Sequence, residues 1–263
     1  MSILDEIAGY AKIRVSKAKE VKPLEIVKKE AFEKTDPNAS FVFEEALKGR
    51  DISFICECKK ASPSKGLIAP DFDYLNIAKE YENAGANAIS VLTEPKWFLG
   101  SDEYLKEIAN AVKIPVIRKD FTVDEYMIYE AKVLGASAVL LICSILDESR
   151  IREYIKICDE LRLSALVEAH DREEIEKALN ARARIIGVNN RNLKDFSVNT
   201  GNTVSLRKFV PDDIVFVAES GIKNYEDVAG LKEIGVNALL VGETLMRADD
   251  KKKKLEELRY GSK

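Results

Sequence analysis

The sequence predicts an α/β fold, a closed (β/α)8 TIM barrel preceded by an N-terminal helical extension, and three observations predict it. Eight short β-branched or aliphatic runs recur along the 263 residues. Their starts, at Phe54, Ala88, Pro115, Ala138, Ser164, Arg184, Asp213 and Ala238, lie 20 to 34 residues apart, room for one strand, one crossover helix and two loops. The stretches between them are charged and carry helical stripes. An open doubly wound sheet is the competing fold, but no Gly-x-Gly-x-x-Gly follows the first strand and the regular period favours closure.

In chain order, residues 1–50 read as an extension with amphipathic helices over 3–19 and 23–32, placed to cover one mouth of the barrel. No Gly/Ser/Pro-rich linker separates it from the barrel of residues 51–263, so the whole reads as one domain. The strands are expected at 54–59, 88–93, 115–121, 138–143, 164–170, 184–191, 213–221 and 238–245. After the first, Tyr74, Ile77, Ala78 and Tyr81 share a helix face that stops at Gly85. The same pattern stops at Gly135 and Gly235. The lysine run 251–254 belongs to a final helix and reads as a solvated face.

Composition narrows the function. With 41 Lys and Arg against 45 Asp and Glu, the chain lacks the basic field of a nucleic-acid binder. No run approaches the roughly 20 apolar residues of a membrane span, and the charged N-terminus does not read as a signal peptide. The four cysteines, 56, 58, 143 and 158, sit in or beside apolar runs and read as reduced thiols in a cytoplasmic protein. A single histidine, His170, rules out a multi-His metal site and leaves acid-base work to lysines and carboxylates. Neither metal nor cofactor is expected.

In this fold, chemistry sits at the C-terminal ends of the strands. Alternation puts Glu57 and Lys59 on the barrel face of the first strand, with Cys56 and Cys58 outward under helices. Ile117, Lys119 and Phe121 share a face at the end of the third, and Glu168 is in phase with Leu166. The sixth ends in Asn189-Asn190-Arg191 and the seventh in Glu219-Ser220-Gly221. Unpaired buried charges cost several kcal/mol each, so such a set is either an ion network closing the barrel top or an acid-base site. Ser220-Gly221 and Gly242-Glu243, after the last two strands, match the usual phosphate seat of a barrel, where backbone N–H groups meet the anion. Glu243 suits that seat only if its side chain turns away.

Seven blocks resemble those of the indole-3-glycerol phosphate synthase family, in the same order. They are ECKKASPSKG (57–66), LTEPKWFLGS (92–101), VIRKDF (116–121), LVEAH (166–170), GVNNRNL (187–193), VAESGI (217–222) and VGETLM (241–246), within a resemblance over about residues 3–248. The resemblance implies a metal-free ring closure, decarboxylation and dehydration of 1-(2-carboxyphenylamino)-1-deoxyribulose 5-phosphate. It implies Lys119 as general acid, Glu168 near the substrate's amino and hydroxyl groups, and Glu57 and Lys59 placed for dehydration. Asn189 and Arg191 would contact hydroxyls and carboxylate, and Phe98, Phe121 and Leu140 would wall the anthranilate ring. Phosphate would rest on amides around Gly221, Gly242 and Glu243 with help from Lys59 and Ser62, while Glu219 and Ser220 complete the floor. Asn190, where relatives often carry Ser, and His170 are variations that leave these roles untouched.

Three rivals remain from other chemistries. A phosphoribosylanthranilate isomerase type needs a cysteine and aspartate pair at strand ends, and the two cysteines beside Glu57 fall on the wrong face for it. A Schiff-base aldolase would use Lys119 as nucleophile, trappable by borohydride. A non-catalytic phosphate-binding barrel fits poorly with so many charged strand ends. The expected partner is the small phosphosugar-anthranilate substrate, with no nucleic acid or membrane, in a monomer or weak homodimer.

Overall fold

The structure, a computed structural model, describes residues 2–192 and 197–261; the end of the GVNNRNL block, Leu193, lies outside them. Eight parallel strands form a closed barrel in sequential order. They are β1 (Ser53–Cys58), β2 (Ala88–Leu92), β3 (Val116–Lys119), β4 (Ala138–Ile142), β5 (Ser164–Ala169), β6 (Ile185–Asn189), β7 (Val215–Glu219) and β8 (Ala238–Val241). The expected runs were right in number and position but several ran too long. Phe121, Arg191 and Gly221 stand in the loops beyond their strands, and Glu243 opens a short helix, where the backbone has left the sheet.

Helices α1 (Ile3–Val21), α2 (Leu24–Glu33) and α3 (Val42–Ala46) precede the barrel. Within it follow α4 (Tyr74–Asn83), α5 (Asp102–Ala111), α6 (Glu125–Val133), α7 (Glu148–Glu160), α8 (Arg172–Asn180), α9 (Gly201–Leu206), α10 (Tyr225–Glu233), α11 (Glu243–Met246) and α12 (Lys251–Tyr260). Most of the longer barrel helices start on a short polar side chain. Asp73, Ser101, Asp124, Asp147, Asp171, Asn224 and Asp250 each accept a hydrogen bond from an amide of the first turn, satisfying a group with no intrahelical acceptor. The expected stops at Gly85, Gly135 and Gly235 have φ of +85°, +93° and +80°. No described helix is long and apolar enough to cross a membrane.

Alternation along the strands separates two cores. Ile55, Ile117, Leu140, Leu166, Val217 and Leu240 fill the barrel, while Phe54, Cys56, Cys58, Val91, Val139 and Val167 pack under the helices. Both cysteines of the first strand therefore face outward, and all four are free thiols. The extension contributes residues at both ends of the barrel. Ile3, Leu4 and Ile7 of α1 line the cavity at the C-terminal strand ends. Phe43 and Leu47, both fully buried, join the barrel core from α3 and its end, and Glu44 pairs with Arg184 just before β6, at the opposite end of the barrel.

Candidate active site

The C-terminal mouth holds a cavity of about 510 Å³, lined by all fifteen residues the sequence nominates: Glu57, Lys59, Ser62, Phe98, Lys119, Phe121, Leu140, Glu168, Asn189, Arg191, Glu219, Ser220, Gly221, Gly242 and Glu243. Pleating explains the gathering, since each strand-borne member occupies an inward position of its strand. The neighbours of Lys119 in sequence are each held by several hydrogen bonds. Arg118 lies buried between Asp102, Glu130, Thr93 and the Met127 carbonyl. Asp120 accepts two hydrogen bonds from Arg14 of α1, at 3.0 and 2.7 Å, and one from the Thr93 hydroxyl. Lys119 is thus carried between two side chains that cannot turn.

The Lys119 ammonium sits 3.3 Å from both Glu168 and Glu219. Burial alone would push this lysine down, but the carboxylates of Glu219, Glu168 and Glu57 override it and hold the ammonium well above its ordinary value. Burial raises Glu168 as well. Lys119, His170 and a hydrogen bond from Asn189 reverse that and keep it below the usual carboxylate range. Glu57 is paired at 2.5 Å with Lys59 and accepts from Ser90; against the same burial penalty, Lys59 and Lys119 hold it low. Glu219 goes the other way. Its burial, with Glu168 close by, outweighs Lys119 and lifts it to about 7. A Cβ at Gly187 would collide with the Glu219 carboxylate, so the seat of that group exists because position 187 has no side chain.

Opposite this cluster the backbone turns. Ser220 (φ +67°) and Gly221 (φ +86°) are both left-handed, a conformation that costs a non-glycine residue about 1 kcal/mol or more. Ser220 is held there from both sides: its hydroxyl donates to Asn189 Oδ1 at 2.9 Å, and its carbonyl accepts from Asn190 Nδ2 at 3.1 Å. Asn190, set aside above as a variation, therefore supports this turn, and its own Oδ1 is tied to Thr203. On the next strand, a Cβ at Gly242 would lie 2.6 Å from Glu57 Oε1 and 3.3 Å from Lys59 Nζ, so this position is kept bare by the Glu57–Lys59 ion pair. The Glu243 carboxylate does turn away, to Arg247 at 3.1 Å and Lys65 at 3.6 Å.

Phe98 and Phe121 face each other with ring centroids 6.0 Å apart and form the apolar side with Leu140. Phe98 is placed by a residue the sequence reasoning missed. The fully buried Glu94 accepts hydrogen bonds from the amides of Lys96, Trp97 and Phe98, folding the loop after β2 around its carboxylate. An acid directly past a strand, followed by three residues able to donate amides, was the available signal. Also missed were Asp120, Lys65 and the α1 residues. His170 was misjudged: its Nε2 lies 3.5 Å from Glu168 Oε1, so it adjoins the site. Among the described residues, no three His, Cys, Asp or Glu side chains converge as metal ligands.

The family model for indole-3-glycerol phosphate synthase matches residues 4–258. A protein of that name from Ruminiclostridium cellulolyticum is 56% identical over 257 residues, covering 98% of each chain. One from Lachnoclostridium phytofermentans is 51% identical over 267 residues, again 98% of each. Among solved structures, a 3-hexulose-6-phosphate synthase superposes with a TM-score of 0.64 at 15% identity, over 81% of this chain and 100% of that one; a likeness this distant shows the barrel fold alone.

Proposed function

We propose, on the premise that the chain belongs to the indole-3-glycerol phosphate synthase family of decarboxylating lyases in tryptophan biosynthesis, that the fifteen cavity residues carry out that reaction by lysine and glutamate acid-base catalysis. The observation that carries this reading is the Lys119 ammonium, held between Glu168 and Glu219 at 3.3 Å each on a cavity with an aromatic wall.

The substrate, 1-(2-carboxyphenylamino)-1-deoxyribulose 5-phosphate, spans the mouth. Its anthranilate ring packs on Phe98, Phe121 and Leu140. The phosphate rests at the turns of Gly221 and Gly242, where the first amides of α11 lack intrahelical acceptors, with Ser62 and Lys59 at hand and Lys65 and Arg247 neutralising Glu243. Asn189 and Arg191 contact the hydroxyls and carboxylate. As the ring carbon attacks the ketone, Lys119 donates its proton to the ketone oxygen. Its protonated state is what the flanking carboxylates secure. Carbon dioxide then leaves, and Glu57 with Lys59 serves the dehydration, Glu168 assisting proton movement and the developing positive charge.

A purified sample given this substrate, with no added metal or cofactor and with a chelator present, is expected to generate indole fluorescence. A flat trace with authentic substrate would count against the reading.

A further inference from the structure

The one histidine of the chain is wedged between two carboxylates, Glu168 of the cavity and Glu174 of α8. Glu174, in the first turn of α8, folds back so that its Oε2 accepts the His170 backbone N–H at 2.8 Å and lies 3.1 Å from Nδ1. Its other oxygen accepts the Ser144 hydroxyl at 2.6 Å. This arrangement is not a serine nucleophile with its base, because Ser144 Oγ donates to Glu174 and meets the same ring nitrogen, Nδ1, that Glu174 occupies. With Nδ1–H committed to Glu174, the titrating nitrogen is Nε2. That atom is buried, makes no hydrogen bond, and lies 3.5 Å from Glu168 Oε1.

Glu168 is thereby flanked on two sides, by the Lys119 ammonium at Oε2 and by the His170 ring at Oε1. We propose that His170 is a positioning residue for Glu168: its imidazolium, oriented by Glu174, keeps the carboxylate ionised and aimed at Lys119 during turnover. This rests on the reading of Glu168 as a group that handles protons in the reaction. The charges facing the imidazole are Glu168 from the end of β5 and Glu174 from α8, with Glu219 of β7 and Lys119 of β3 behind them. Ser144 after β4 and Asn202 of α9, which donates to the His170 carbonyl, add no charge. Burial would lower the imidazole, but the hydrogen bond to Glu174 and the charges of Glu168, Glu174 and Glu219 raise it above the ordinary value.

Because the chain has a single histidine, one imidazole Cε1–H resonance reports on this group without assignment. In proton NMR its titration midpoint is expected to fall by about one pH unit in Glu168→Gln and comparably in Glu174→Gln, each change removing an opposite charge within a few ångströms. In kinetics, His170→Gln is expected to lower kcat about tenfold with KM within about twofold, and to move the acid limb of the kcat profile up, since Glu168 loses a cation that favours its ionised form. A midpoint unmoved by Glu168→Gln overturns the inference whatever the activities. So does a wild-type kcat and acid limb in His170→Gln. Should His170→Gln fail to fold, the NMR titration decides alone. Retained turnover in Glu168→Gln would instead overturn the catalytic reading beneath it, an outcome the NMR result does not share.

Discussion

At the scale of single residues, the site is a problem in charge placement. One ammonium is buried among three carboxylates, Glu57, Glu168 and Glu219, with Lys59 paired to Glu57 and the His170 ring beside Glu168. Lys119→Met is expected to reduce kcat by about 10²–10⁴-fold, the range for loss of a general acid, while the dissociation constant for indole-3-glycerol phosphate, measured by fluorescence titration, changes little. An equal loss of binding would remove the acid role. The inward members were legible because one rule, strand alternation, selects them: Glu57 with Lys59, Lys119 with Phe121, Glu168 with Leu166. Asp120, Glu94 and His170 escaped it because they act from the outward face or from a loop, and only the fold shows what they touch. His170 also carries a stability consequence. With its value raised in the folded state, its contribution is fully present below the ordinary imidazole value of 6.5 and is lost as pH rises through the folded value.

At the scale of elements, the links between α1 and β3 decide how the mouth is covered. Arg14 and Asp120 form a two-point ion pair whose acid is fully buried and whose guanidinium is 19% exposed. Removing one partner of such a pair leaves a poorly solvated charge, so Asp120→Asn is expected to destabilise the protein by about 3 kcal/mol in urea titrations and to raise KM as Ile3, Leu4 and Ile7 loosen from the cavity. The gap to wild type should close in acid. Burial raises Asp120, but Arg14, Arg118 and Thr93 pull it below its ordinary value, so its stabilisation is present above that value and vanishes as pH falls through the folded one. A gap independent of pH would contradict this account. Helix positions were legible from apolar stripes and glycine stops, and the number of strands from their spacing. The strand ends were not, because the polar residues that follow β3, β6 and β7 continue the alternation after the hydrogen-bonded ladder has ended.

At the scale of the molecule, the two barrel ends divide their work. Chemistry gathers where strands point, and the opposite end is closed by α3, with Phe43 and Leu47 sealed into the barrel core. Phe43→Ala is expected to lower stability by about 3–5 kcal/mol through the cavity it leaves, visible as a lower urea midpoint at constant slope, with kcat unchanged while the protein stays folded. A change in kcat without loss of stability would argue against that division. The extension was legible as helices with an apolar face, but nothing in its sequence told that it reaches both ends. Its ties run far along the chain, 106 residues from Arg14 to Asp120 and 140 from Glu44 to Arg184. Residues 1–50 therefore leave the ribosome well before the segments they pair with. A nascent chain meets the partner of Arg14 once β3 has been made, but Glu44 must wait for the segment that leads into β6, so the end of the barrel opposite the mouth is closed by α3 only after most of the strands have been synthesised.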